Sequence, residues 1–323
     1  MIDGRVFVTR EIDPDALARL REAFAEVDVW EAFDPPSPEQ LAERAAGCVA
    51  LVTMITDRVD AALLNAAPTV RVVANMAVGY NNVDVATCSG RDVLVSNTPN
   101  VLEETTADLA FALMLAVARH VVASDADTRA GNWGLWHPAL WLGTDVYGAS
   151  LGIVGMGGIG SAVARRARGF DMRIRYTANS RRTEAEAALG AEFMPDLREL
   201  LAVSDFVSLH VPLTSSTHNL IGAAELAAMR PTAFLINTSR GDVVDTEALL
   251  AARRAGSIAG AGLDVTAPEP IAADQTLLQL PNLVVKPHIG SASFATRRRM
   301  AMMAVENAIA ACKGEPMPSR VTG

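Results

Sequence analysis

Leu151-Gly152-Ile153-Val154-Gly155-Met156-Gly157-Gly158-Ile159-Gly160 is the stretch that decides the fold of this chain. Four residues that read as a buried strand run straight into G-x-G-x-x-G, and Ser161 to Phe170 continues as a helical run. In such a unit the first glycine permits the tight turn, the second lets backbone N–H groups approach a pyrophosphate, and the third lets helix pack close to strand. The helix dipole then favours the anion. Glycines alone would serve equally well as a structural turn. The strand before them, the helix after them and a further strand at Arg173 to Thr177 make the dinucleotide-binding fingerprint, with Gly155, Gly157, Gly158, Ile159 and Gly160 as cofactor contacts.

The end of that further strand bears on which dinucleotide is meant. A site for NAD places Asp or Glu about 20 residues after the glycines to accept from the ribose 2'-hydroxyl. Here the chain reads Tyr176-Thr177-Ala178-Asn179-Ser180-Arg181-Arg182, with no acid. Ser180, Arg181 and Arg182 offer a hydroxyl and guanidinium forks that suit a 2'-phosphate, and Asn179 beside them is a further candidate contact. NADP(H) is the expected preference with NAD(H) still possible, the alternative being a solvated arginine pair on a loop.

Outward from the glycine turn, strand-like and helix-like runs alternate in both directions. Upstream strands are read at Arg5 to Thr9, Asp28 to Trp30, Ala50 to Thr53, Val70 to Ala74 and Val93 to Val95, with a helix from Asp13 to Ala25 and another after Pro38. Downstream strands are read at Phe206 to His210, Ala233 to Asn237, Ala261 to Val265 and Leu283 to Lys286. Val101 to His120 reads as one apolar helix and Ser293 to Cys312 as another. Between Gly131 and Gly148 the chain is loop-like yet holds Trp133, Trp136 and Trp141, three of its four tryptophans. A subunit contact, a pocket wall or packing within the chain would each bury them.

With 323 residues, half of them hydrophobic and only 5% aromatic, the composition suits two α/β domains whose helices cover parallel sheets. The formal charge of -9 excludes a generally basic face, so neither nucleic acid nor anionic membrane is an expected partner. Cys48, Cys88 and Cys312 are too few and too scattered for a disulfide framework and lie at no metal-ligand spacing; no metal is expected. No basic segment followed by an apolar run opens the chain, and no apolar run reaches the ~20 residues of a membrane span, so a cytoplasmic location is expected.

Three polar elements recur at strand ends after the glycine turn: Asn237-Thr238-Ser239-Arg240-Gly241, Asp264 through Pro268-Glu269-Pro270, and Lys286-Pro287-His288-Ile289-Gly290. Ligands of open α/β sheets bind at the carboxyl ends of strands, so these elements should converge beside the cofactor. Hydride reduction of a carbonyl needs an acid for the developing alkoxide, a cation for a substrate carboxylate, and a carboxylate to favour the charged acid. His288, Arg240 and Glu269 supply those types. Singly, each has a structural explanation as a loop hydrogen-bonder, a surface arginine or a turn residue.

Together with Asn75 to Asp84, Thr105 to Asp108, Trp141 to Gly143, His210 to Thr214, Asn237 to Val244, Gly260 to Val265 and Pro287 to Ala292, these residues resemble the D-isomer-specific 2-hydroxyacid dehydrogenase family along nearly the whole chain. The resemblance is strongest to glyoxylate/hydroxypyruvate reductases. It implies a dinucleotide-binding Rossmann domain, 100–290, inserted in a flavodoxin-like substrate domain made of 1–99 and 291–323, with both sheets parallel and doubly wound. It implies reduction of a small 2-oxo acid to the D-2-hydroxy acid, with Arg240, Glu269 and His288 catalytic. Thr106, Thr238 and Asp264 are then expected near the nicotinamide end, Val211, Pro212 and Thr217 near the adenosine or pyrophosphate, and Ser239 and Gly290 as further cofactor contacts. Val78, Gly79, Arg240, His288, Ser291 and Trp141 are the implied substrate contacts, Trp141 reaching into a neighbouring subunit of a homodimer.

Two positions depart from the pattern. Gly158 stands where many relatives carry Arg, and Asn179 where NADP-preferring relatives often have Arg. Two other readings share the fold: a formate- or phosphite-type dehydrogenase, the former disfavoured because Glu269 stands where Gln is expected, and a non-catalytic NAD(H)-sensing binding protein.

Overall fold

Residues 1–322 are described by a computed structural model, which divides into two units, Met1–Leu102 with the chain from Ala292 onward, and Glu103–Ser291. Unit 1 contains β1 (Ile2–Val8), α1 (Pro14–Ala23), β2 (Phe24–Val29), α2 (Pro38–Ala45), β3 (Cys48–Thr53), α3 (Ala61–Ala66), β4 (Val72–Asn75), α4 (Val85–Ser89) and β5 (Leu94–Ser96). The strands form a parallel sheet in the order β2-β1-β3-β4-β5, the flavodoxin-like arrangement. Side-chain caps start its helices: Asp13, Asp60 and Asp84 accept first-turn N–H groups, and Ser37 with Gln40 closes a capping box. The helix expected to reach Ala25 ends at Ala23, and the strand expected at Asp28 already begins at Phe24. β2 is an edge strand with a half-exposed, mixed-polarity pattern, which hides strand periodicity.

Unit 2 contains α5 (Glu103–Ala118), α6 (Val121–Arg129), β6 (Ser150–Val154), α7 (Gly158–Arg168), β7 (Arg173–Thr177), α8 (Thr183–Leu189), β8 (Glu192–Phe193), α9 (Leu197–Val203), β9 (Phe206–Leu209), α10 (Ala223–Ala228), β10 (Phe234–Asn237), α11 (Thr246–Ala255), β11 (Gly260–Leu263) and β12 (Leu283–Val285). Its seven parallel strands run β12-β11-β10-β9-β6-β7-β8, so the order reverses at β6, as in dinucleotide-binding sheets. Alternation along the strands builds two cores. Leu151, Ile153, Phe206, Phe234 and Ile236 pack with α5 and α7 on one face, while Val154, Val207, Leu209, Leu235 and Ala261 pack under α9, α10 and α11 on the other. Both faces are covered, so the strands read as unbroken apolar runs.

The helix expected over Val101 to His120 is shorter and is followed by a second. His120 adopts a left-handed φ of +53°, and α6 leaves α5 at 62°. The expected end at His120 is within two residues of the observed one, whereas α6 buries no residue and carries no apolar stripe that would announce it. α12 (Phe294–Lys313) completes unit 1, packing on α1 and the strands β3 and β4, with Arg19 paired to Glu306.

Candidate active site

The glycine turn meets each steric demand separately. Gly155 has φ +97°, and a Cβ there would lie 2.7 Å from the carbonyl oxygen of His210. A Cβ at Gly160 would collide with the carbonyl oxygen of Gly155. At Gly157 it would meet nothing within 4 Å, and α7 starts on that residue without a side-chain cap. First-turn N–H groups facing open space at a helix N-terminus are a cradle for a pyrophosphate, so the residues present fit a dinucleotide. Gly158, the departure from the family pattern, has Glu103 for a neighbour, whose Cγ lies 2.8 Å from where a Cβ would be.

At the carboxyl end of β7, Asn179, Ser180 and Arg181 are exposed. The Arg181 guanidinium donates to Glu186, from Nε to Oε1 at 2.9 Å and from Nη2 to Oε2 at 2.8 Å. Arg181, together with the Tyr176 hydroxyl donating at 2.8 Å, holds the Glu186 carboxyl below the usual range. The Tyr176 oxygen in turn accepts from the Arg182 amide at 2.6 Å, which fixes the loop. Near β9, Thr217 spends its hydroxyl inside its own loop, donating to the Pro212 carbonyl at 2.5 Å and accepting from the Thr214 amide at 2.8 Å, and so shapes the Val211-Pro212 segment.

Three loops carry the polar residues at the carboxyl ends of β10, β11 and β12, the same end of the parallel sheet as the glycine turn. Asn237, buried at the end of β10, accepts from the Ser239 amide and hydroxyl and donates to the Arg240 carbonyl at 2.9 Å, so one side chain wraps the turn that presents Arg240. Gly241 leaves no room for a Cβ against Thr266 and Ala267, which keeps that turn close to the segment carrying Glu269. Burial pulls Arg240 below the usual arginine range, and the charge of Glu269 opposes the shift.

Asp264, buried after β11, accepts from the amides of Ile289 and Gly290, each at 2.7 Å, while its carbonyl accepts from the His288 amide at 2.8 Å. These bonds clamp His288 at φ +53°. Nδ1 of His288 lies 2.5 Å from Oε1 of Glu269. An ionised carboxylate only accepts, so Nδ1 carries the hydrogen and Nε2 is the nitrogen left to exchange a proton. Thr106 is buried beside Gly290, its Oγ1 3.4 Å from where a Cβ would be. Thr238 and Ser239 are likewise buried.

Sequence reasoning passed over His210. Its Nε2 lies 2.8 Å from the Ser208 hydroxyl and its Nδ1 3.5 Å from that of Thr238, and burial pushes its pKa down to about 3, keeping the ring neutral. Asn237 and Glu186 were also not singled out as site residues. A polar residue closing an apolar strand was the available signal for Asn237; nothing local marked the other two.

Val78 and Gly79 belong to unit 1 and Ser291 to unit 2. Within unit 1 the Val78 carbonyl accepts from Asn97 at 2.8 Å and the Gly79 carbonyl from Asn75 at 3.2 Å, which sets the direction of those peptides. Trp141, at φ +56°, packs its ring 6.1 Å from that of His120 and stays 41% exposed, while Trp133 and Trp136 are 72% and 80% exposed. Packing within the chain therefore does not bury the tryptophan loop.

Residues 111–290 match the family model described as D-isomer specific 2-hydroxyacid dehydrogenase, NAD binding domain. The glyoxylate reductase of Korarchaeum cryptofilum is 54% identical over 318 residues, covering 98% of this chain and 95% of that protein. The glyoxylate reductase of Thermococcus gammatolerans is 50% identical over 321 residues, covering 98% and 95%. The crystal structure of TT0316 protein from Thermus thermophilus matches with a TM-score of 0.92 at 47% identity, covering 98% of this chain and 100% of that one. That of an NADPH-dependent glyoxylate/hydroxypyruvate reductase from Sinorhizobium meliloti, in complex with NADP and malonate, matches with a TM-score of 0.85 at 33% identity, covering 99% and 97%.

Proposed function

We propose, from the premise that this chain belongs to the D-isomer specific 2-hydroxyacid dehydrogenase family, that it reduces glyoxylate and hydroxypyruvate to the corresponding D-2-hydroxy acids. The chain is an NAD(P)-dependent oxidoreductase of that family. The observation that carries the reaction is the 2.5 Å contact between His288 Nδ1 and Glu269 Oε1, with Arg240 under the influence of the same carboxylate, while the choice of substrate is supported by the glyoxylate reductases to which the chain is similar.

Bound NAD(P)H supplies the hydride for the substrate's carbonyl carbon. Arg240 offers its guanidinium fork to the 2-oxo acid, binding the carboxylate and polarising the carbonyl. His288 gives its Nε2 proton to the carbonyl oxygen as negative charge gathers there, and Glu269 holds the ring in the orientation and tautomer that make this possible. In the reverse direction Nε2 accepts the hydroxyl proton. The backbone of Gly155 to Gly160 would receive the pyrophosphate, Thr106, Thr238 and Asp264 would hold the nicotinamide end, and Ser239 and Gly290 would be further contacts of the cofactor. Arg181 and Ser180 receive the 2'-phosphate, giving a preference for NADPH with NADH still accepted. The exposed tryptophan loop closes a homodimer in which Trp141 meets the partner's substrate pocket.

The test is a panel of glyoxylate, hydroxypyruvate, pyruvate and phosphite against NADPH and NADH, scored by kcat/KM. Highest values for glyoxylate and hydroxypyruvate with NADPH are expected. Oxidation of phosphite in preference to these, or cofactor binding with no turnover, would overturn the assignment.

A further inference from the structure

We propose that Glu186, on α8, sets the balance between the two cofactors by neutralising the guanidinium that the adenosine 2'-phosphate needs. The inference rests on the reading of Asn179 to Arg182 as the seat of the adenosine ribose. The side-on pair uses the Nε and Nη2 edge of Arg181, at 2.9 and 2.8 Å, and leaves the Nη1 edge pointing elsewhere. A phosphate can therefore dock on Arg181 without breaking the pair, but it meets a guanidinium whose charge is already countered. Glu186 cannot simply swing aside, because its carboxylate is also held by the Tyr176 hydroxyl at 2.8 Å and its side chain is only 16% exposed.

Two effects oppose each other. Holding Arg181 in one pose spares some ordering entropy when a ligand binds. Placing a carboxylate next to a group that must attract a phosphate bearing roughly two negative charges repels that phosphate. The second effect dominates, because the phosphate's charge is about double a carboxylate's and Glu186, only 16% exposed, is the partner of the pair that solvent screens least. NADH lacks the phosphate and feels neither. Glu186 thus works as a brake on NADPH and keeps both cofactors usable.

Glu186→Gln removes the charge while its amide oxygen, in the place of Oε1, can still accept from the Tyr176 hydroxyl and Arg181 Nε, so only the Nη2 bond of the pose is lost with the charge. The measurement is kcat/KM for NADPH and NADH at saturating glyoxylate in the wild type, Glu186→Gln, Arg181→Gln and the double variant, with the dissociation constant of 2',5'-ADP as a binding readout free of turnover. Glu186→Gln should raise the NADPH/NADH ratio about tenfold through the KM for NADPH, tighten 2',5'-ADP to match, and leave kcat and the KM for NADH within about twofold. In the double variant the gain should vanish, because the cation it acts through is gone. A structural role alone would move both cofactors together. If Arg181→Gln lowers the ratio but Glu186→Gln leaves it unchanged or lowers it, the brake is refuted and the cofactor loop stands. If Arg181→Gln leaves the ratio unchanged, the loop assignment fails and the brake with it. Glu186→Ala, which removes pose and charge together, should shift the ratio upward by less than Glu186→Gln.

Discussion

His288 sits in the left-handed region at φ +53°, a conformation that costs a non-glycine residue about 1–3 kcal/mol and persists only where neighbours enforce it. Asp264 enforces it through the Ile289 and Gly290 amides, so a residue outside the His288–Glu269 pair holds the backbone that presents the imidazole. His210 is the opposite kind of histidine. Its pKa near 3 lies below the ordinary 6.5, so as pH falls through that interval the unfolded chain takes up a proton that the folded one does not. Stability from this group is therefore complete above pH 6.5 and is lost at roughly 1.4 kcal/mol per pH unit down toward 3. His210→Asn removes the titration, and urea unfolding at pH 7 and 4.5 should show the variant losing about 2 kcal/mol less than the wild type. Equal losses would mean that the ring protonates in place.

At the scale of the element, β6, the glycine turn and α7 make two glycines separable by experiment. Gly157→Ala places a methyl in open space where the pyrophosphate approaches, so the KM for NADPH should rise tenfold or more while Tm stays within about a degree. Gly160→Ala drives a methyl into the Gly155 carbonyl and should cost about 1–3 kcal/mol, read as a fall in Tm even without cofactor. Identical behaviour of the two variants would contradict the division of labour.

This element was legible from sequence because its constraints are local: an apolar run, glycines at fixed spacing, then a helix. The strand ends carrying Arg240, Glu269 and His288 were legible for a related reason, since polar residues closing buried strands stand out against their surroundings. What escaped was set by distant partners. The second helix after His120 buries no residue and so carries no apolar stripe to announce it, β2 is an edge strand of mixed polarity, and the charge state of His210 depends on burial that no neighbouring residue reveals. The grip of Glu186 on Arg181 spans five residues of loop and helix start and becomes visible only when both side chains are placed.

At the scale of the molecule, each unit has its own parallel sheet, and the residues assigned to proton transfer and to the cofactor all come from unit 2. That unit also leaves Trp133, Leu135, Trp136 and Leu142 between 70% and 80% exposed within one loop, the apolar surface on which the proposed dimer rests. Trp136→Ser combined with Leu142→Ser should shift sedimentation from twice the chain mass toward the monomer at micromolar concentration. A wild-type monomer under those conditions would remove the proposed dimer.

The central claim is that the imidazole held by Glu269 delivers the proton that a reduced carbonyl requires. Single-turnover reduction of glyoxylate by His288→Gln with NADPH tests it directly. The rate should be lower by about 10²–10⁴ with the dissociation constant for NADPH within about twofold of the wild type. A rate equal to that of the wild type would contradict it.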